Sequence, residues 1–240
     1  MPIDGWNSAA VRIGNLAPWT EFRAAGQSPE PFGLLRPPLG AGAVDYALHN
    51  ALMTYAYVLT RVVDGRDRLS MLDWEGGPGG DYVYARAMLP ELAIDYSCLT
   101  TRLLAEGGSL VLPEATFHSD PAAALARNYD LVMTGWALQS TPDWRALLAS
   151  LAAVADRYLF VTWLPVVERA ESFAIIHRPP PWASRDGRPG WILKRDEFLR
   201  EAAKLGLGLR REFLISEHPD VPGAPETPAY RGFLFAAAGR

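Results

Sequence analysis

The sequence predicts an α/β fold: a mostly parallel sheet with helices on both faces and an antiparallel strand pair near its C-terminus. Three observations carry this. Strand and helix patterns alternate five times between Leu69 and Trp163. The connections are long enough to demand crossovers, and hence parallel pairing. A glycine-rich turn, within LSMLDWEGGPGGDYVY from Leu69 to Tyr84, separates the first strand from the next helix. In open sheets of this kind ligands bind beyond the carboxyl ends of the strands, where this turn would lie.

Residues 1–42 are rich in Gly and Pro, with aromatics at Trp6, Trp19, Phe22 and Phe32 and a short helix expected near Pro18 to Ala25. This segment is read either as a lid over the sheet ends or as an arm on a partner subunit, which would make a homodimer. Residues 43–240 form the main domain. A long helix is expected from Val44 to Val63, because Val44, Leu48, Leu52, Tyr55 and Leu59 recur at helical spacing. Asp45 suits its N-terminus and Gly65 ends it. Its tyrosines, Tyr46, Tyr55 and Tyr57, are core aromatics with wet tips or, for one of them, a pocket wall.

Leu69, Met71 and Leu72 supply the first strand, and a helix follows the turn to about Met88. Leu92 to Ser97 is the second strand. Leu99 to Ala105 is a helix ended by Gly107-Gly108, and Glu114 to His118 the third strand. Pro121 to Ala126 is a helical turn and Tyr129 to Thr134 the fourth strand, with Gly135-Trp136-Ala137-Leu138-Gln139 at its carboxyl end. Pro142 to Val154 is a helix with Pro in its first turn, and Tyr158 to Trp163 the fifth strand. Residues 165–190 contain five prolines and read as an excursion over the pocket mouth. Lys194 to Leu205 is a helix. Arg211 to Ser216 and Tyr230 to Ala236 are the closing pair.

A chain of 240 residues with 49% apolar residues fits one such domain with additions, and its formal charge is −4. Basic residues are scattered without a run or stripe, so no nucleic-acid partner is expected. The lone Cys98 forms no internal disulfide. His49, His118, His177 and His218 lack ligand spacing, so no metal is expected. No apolar run reaches membrane-spanning length and residues 1–20 do not read as a leader. A cytoplasmic location is the expectation.

The register of glycines does not give the dinucleotide fingerprint, and no Gly-Lys-Ser/Thr ending marks a phosphate loop. Asp73-Trp74-Glu75-Gly76-Gly77-Pro78-Gly79 instead resembles the first motif of S-adenosylmethionine (SAM) enzymes, an acid followed by glycines at alternate positions. Glu75 stands where the first glycine is usual. A purely structural glycine turn is the competing reading.

The turn, the five alternations and the closing pair together resemble the Rossmann-like fold of class I SAM-dependent methyltransferases. They are similar to a branch of methyltransferases found near biosynthetic gene clusters. LDWEGGPGGDY, FHSD, YDLVMTGWALQ, PGWILKRDEFL and YRGFLF carry the resemblance in that order, over roughly 44–235.

The resemblance implies SAM as cofactor and a small-molecule substrate. Asp73, Trp74, Glu75, Gly76, Gly77 and Gly79 would wall the methionine part, with Tyr82 opening the helix behind. Ser97 or Cys98 falls where an acid usually binds the ribose hydroxyls, and Asp95 lies too early. Asp120 resembles the acceptor for the adenine amine, with Phe117 and His118 flanking the ring; a helix N-cap role competes.

A sulfonium in a low-dielectric pocket needs compensation, which aromatic faces supply. Trp74, Trp136, Trp163, Trp182 and Trp191 gather at predicted strand ends and the excursion, and some of them are packing. Glu75, Trp136, Trp163 and His177 are the candidate catalytic residues. Tyr57, Gln139, Trp163, Trp182 and Trp191 are the candidate substrate contacts. A structural role competes for His177.

Three functions follow. The first is transfer of an alkyl group from the sulfonium by in-line displacement. The second is attack by the amine of SAM on its own γ carbon, giving azetidine-2-carboxylate and 5′-methylthioadenosine, as in SAM-cyclising synthases of related fold. The third is a non-catalytic binding module.

Overall fold

The computed structural model describes Trp19, Arg23, Ala24, Ser28 and residues 45–177, 187–216 and 218–238. The rest of the expected lid or arm, and Trp182, lie outside the described residues. Within the lead-in, Trp19 is buried beside the sheet, and Arg23 Nη1 donates to the Val111 carbonyl at 3.2 Å.

Helix α1 (Tyr46–Val63) is capped by Asp45, whose carboxylate accepts from the Leu48 amide at 2.9 Å. Leu52, Tyr55, Val58, Leu59 and Val62 form its buried stripe. It stops at Asp64 and Gly65, both left-handed. Strand β1 (Arg68–Trp74) then enters the sheet, and α2 (Gly80–Met88) follows the glycine turn.

β2 (Ala93–Leu99), α3 (Arg102–Val111), β3 (Thr116–His118), α4 (Pro121–Ala124) and β4 (Tyr129–Gly135) continue the alternation. The predicted stop at Gly107-Gly108 does not occur, and α3 runs through both glycines to Val111. The reason is packing. A Cβ at Gly108 would meet the Phe117 ring at 2.5 Å, so the glycine lets α3 lie directly on β3.

α5 (Ala137–Ser140) and α6 (Trp144–Val154) lead to β5 (Ala155–Val167), which is longer than expected. Asp143 caps α6 by accepting from the Ala146 amide, so the helix starts after Pro142 rather than at it.

The parallel order β3-β2-β1-β4-β5 reverses direction between β1 and β4. That is the switch point at which crossovers leave a crevice. β8 (Leu207–Ser216) and β9 (Ala229–Ala237) are antiparallel, and β9 pairs with β5. The predicted excursion is in part structured. β6 (Phe173–His177) and β7 (Arg188–Lys194) pair antiparallel, and β7 joins the far end of β5 at Val166 and Val167. α7 (Arg195–Lys204) links β7 to β8.

Strand alternation sends side chains to two cores. Leu72, Val132, Leu159 and Phe233 pack with α5, α6 and α7. Leu69, Met71, Tyr96 and Leu131 pack with α1 and α2.

Candidate active site at the carboxyl ends of the strands

Register builds the corner. Asp73 stands opposite Cys98, and Met71 opposite Tyr96, so all four side chains share one face. Tyr96 Oη donates to Asp73 Oδ2 at 2.5 Å, with both residues buried. The Asp73 carboxylate lies under Gly76, where a Cβ would overlap it. Cys98 Sγ donates to the Gly77 carbonyl at 3.6 Å. Gly79 rests on Leu112 and Phe117, with room for a Cβ at neither.

Glu75, Gly77 and Gly79 are left-handed, with φ of 64°, 59° and 91°. The alternate positions of the motif are therefore the positions where the chain must turn the way glycine tolerates. Glu75 holds the first of them despite its side chain, and its amide donates to the Leu99 carbonyl at 2.8 Å. A Cβ on Gly77 would meet nothing within 4 Å, so the bend has open space on its outer side. α2 starts beside it from Gly79, a cap residue with no side chain to satisfy the helix's first amides.

Asp81, in the first turn of α2, comes within hydrogen-bond reach of the Asp73 side chain. Burial raises the Asp81 carboxyl from 3.8 to about 6. Burial and then the charge of Asp81 push Asp73 well upward. The two buried carboxyls therefore take up a proton more readily than free carboxylates do. Tyr55 Oη donates to the Asp81 backbone carbonyl at 3.2 Å. Asp81 and Tyr55 are missing from the sequence-derived site. An acid in a helix's first turn looks like a dipole partner, and only the folded turn brings it to Asp73.

The end of β2 departs from expectation. Ser97 Oγ accepts from Arg127 Nη2 at 3.0 Å, and Arg127 also forks onto Asp95. Both are thereby tied to the start of β4. Burial and then Asp73 raise the Cys98 thiol, which leaves it inert. The unclaimed polar atoms here are Thr101 Oγ1, just past β2, and Thr134 Oγ1, near the end of β4. Both are buried with no hydrogen-bond partner among the described residues.

Asp120 caps α4 through Oδ1, accepting from the Ala122 amide at 3.0 Å. Phe117 is wedged beneath Gly79 and Gly108. Burial and then Arg127 lower the His118 imidazole.

Of the expected tryptophans, Trp136 and Trp163 meet. Their rings stack at 5.1 Å and 18°, and Tyr230 of β9 sets its ring edge-on to both, at 5.0 and 5.6 Å. Both tryptophans are left-handed, with φ of 67° and 55°. Trp163 occupies the break in the β5–β9 register between Val161 and Leu164. Gln139 Nε2 donates to the Trp163 carbonyl at 3.0 Å, while its buried Oε1 has no partner among the described residues.

The other expected contacts lie elsewhere. Trp74 alternates into the core on the α6 side with Leu72. Trp191 donates Nε1 to the Pro142 carbonyl. Tyr82 packs its ring on Tyr96. Tyr57 sits two residues from Tyr55 on α1 and so points away, edge-on to Phe213 of β8. His177 is exposed at the end of β6, an edge strand three pairings from β4.

No group of three or more His, Cys, Asp or Glu among the described residues is placed to hold a metal ion. No described helix is long and apolar enough to cross a membrane.

No protein-family model matches the chain, and no curated protein matches it in sequence. Solved structures do. Magnesium protoporphyrin IX methyltransferase (ChlM) from Synechocystis PCC 6803 with bound SAM is 17% identical, with a TM-score of 0.55 over 98% of this chain and 94% of that one. The N-terminal domain of EvdMO1 with bound S-adenosylhomocysteine is 15% identical, with a TM-score of 0.56 over 92% and 97%. The Burkholderia thailandensis 1,6-didemethyltoxoflavin-N1-methyltransferase, with its substrate and S-adenosylhomocysteine, is 13% identical, with a TM-score of 0.52 over 95% and 88%.

Proposed function

We propose that this chain, which has the fold of the SAM-dependent methyltransferases, binds SAM at the glycine corner and transfers its methyl group to a small molecule. The observation that carries the reading is the open outer side of Gly77 on the turn after β1, at the switch point between β1 and β4. The ligands held by neighbours of this fold, SAM and S-adenosylhomocysteine, support it.

The residues present fit such a ligand. Gly77 and Gly79 give close backbone approach, and the first amides of α2 suit a carboxylate. Glu75 is the anion for the ammonium group. The Thr101 hydroxyl takes the ribose role in place of Ser97 or Cys98. The carboxylate oxygen of Asp120 not used in capping is the acceptor for the adenine amine. Asp73 and Asp81 hold the turn in shape from beneath.

When bound, the sulfonium supplies an electrophilic methyl carbon. An acceptor lone pair bonds to it as the carbon–sulfur bond breaks, leaving S-adenosylhomocysteine, and the acceptor's proton passes to solvent. The protein's own part is positioning and exclusion of water.

Incubation with SAM, with and without candidate acceptors, followed by mass spectrometry tests this. S-Adenosylhomocysteine formed only with an acceptor supports it. 5′-Methylthioadenosine from SAM alone would replace methyl transfer with cyclisation to azetidine-2-carboxylate. Absence of binding of either nucleotide by calorimetry would leave a non-catalytic module.

A further inference from the structure

We propose that the Trp136–Trp163 stack is a platform for a planar aromatic methyl acceptor, which lies on the outer face of Trp136. This rests on the methyltransferase reading and narrows it to a substrate class.

Two neighbouring strands each end on, or break at, a bulky residue in the left-handed region. Backbone strain of that kind persists only where surrounding structure enforces it, and it gathers at functional sites. Here it has a visible consequence: it lays two indoles face to face at 18°. Gln139 enforces one of the bends through the Trp163 carbonyl.

The geometry decides between a ring and a cation as occupant. A box for an ammonium group needs aromatic faces converging on one point. These indoles are nearly parallel, so each spends one face on the other. Tyr230 stands at 62° and 68° to them and closes a side. Trp136 is 44% exposed although one of its faces lies on Trp163, which leaves indole surface open to an occupant. A flat π-system is the occupant that uses it, in offset stacking. The position agrees, because Trp136 follows Gly135 at the switch-point crevice, next to the turn after β1.

The test uses calorimetry on the full chain saturated with S-adenosylhomocysteine. The probes are 2-naphthol and decahydro-2-naphthol, which share size and hydroxyl but differ in the π face. Tetramethylammonium is the cationic probe. We expect 2-naphthol to bind about ten-fold more tightly than its saturated counterpart. That preference should survive Trp136→Phe and vanish in Trp136→Leu, each variant titrated at a S-adenosylhomocysteine concentration that saturates it.

Equal binding of the two alcohols, binding of 2-naphthol that ignores Trp136→Leu, or preference for tetramethylammonium would each overturn the proposal. Direct titration with S-adenosylhomocysteine separates the two levels. Nucleotide binding without naphthol preference sinks the platform alone. Naphthol preference without nucleotide binding sinks the methyltransferase reading and leaves the platform standing. Should Trp136→Leu fail to fold, the same calorimetric comparison of the two alcohols on Trp136→Met, which also lacks an aromatic face, decides the same question.

Discussion

Tyr96 donates its phenolic hydroxyl to the buried Asp73 carboxylate at 2.5 Å, from β2 to β1, directly beneath the glycine turn. This bond joins the strand pair to the bend above it. Tyr96→Phe keeps the ring and its packing on Tyr82 but leaves a buried carboxyl oxygen without its donor. The expected loss is about 1–3 kcal/mol in urea unfolding. An unchanged midpoint and slope would show that the bond contributes nothing.

The Asp73–Asp81 pair makes stability depend on pH. The folded state raises Asp81 from 3.8 to about 6 and Asp73 further, so it binds protons more tightly than the unfolded chain. Their contribution is fully present below about pH 4 and is lost as pH rises through 6. Melting temperature should therefore fall across that interval. Asp81→Asn removes one titrating group and the charge that adds to burial in raising the other, and should make the slope shallower. A variant with the parent's slope would place the titration elsewhere.

Glu75 occupies a left-handed position, which strains any residue with a Cβ by about 1–2 kcal/mol. Glu75→Gly removes the strain along with the side chain, whereas Glu75→Ala removes only the side chain. The glycine variant should be the more stable by about 1 kcal/mol, after allowing for its freer unfolded state. Equal stabilities would mean that the turn relaxes once the carboxylate is gone.

The sequence carried more of the fold than of the site. The five parallel strands were legible because buried runs such as Leu131 to Met133 have one reading, and the glycine turn stood out against them. The β6–β7 pair was not, because five prolines between 165 and 190 look like loop, yet Pro189 sits near the start of β7, where β6 pairs with one side and β5 joins only further on, at Leu193 and Lys194. Gly107-Gly108 looked like a helix stop because local propensity cannot see Phe117. At the site, Trp136 and Trp163 were visible as strand-end residues, but not as a stack. The left-handed backbone of Trp163 falls at the register break in β5, which no spacing announces. Tyr55 and Tyr57 were indistinguishable until the direction of α1 was fixed against β1 and β8.

The contact between α3 and β3 gives a further expectation. A methyl group at Gly108 would meet the Phe117 ring at 2.5–2.6 Å, and that ring is already held by Gly79. Gly108→Ala should destabilise the fold by about 1–3 kcal/mol through overpacking, despite better helix propensity. Combined with Phe117→Leu, which makes room, the loss should be smaller than the sum of the single changes. Additive losses would mean that the two residues do not press on one another.

Gln139 offers the sharpest comparison, since its two side-chain ends differ. Nε2 satisfies the Trp163 carbonyl while Oε1 is buried without a partner among the described residues. Gln139→Leu trades one orphaned acceptor for another, the Trp163 carbonyl, so stability should change by less than about 1 kcal/mol. Gln139→Glu instead sets a carboxylate oxygen against that carbonyl in a buried site. It should lower stability at pH 7 by more than about 2 kcal/mol, and recover as falling pH protonates the acid and restores a donor. Urea titrations of both variants at pH 5 and 7 check this. If Leu proves the more damaging substitution at pH 7, the amide's bond to Trp163 is not what holds the left-handed bend beneath the stacked indoles.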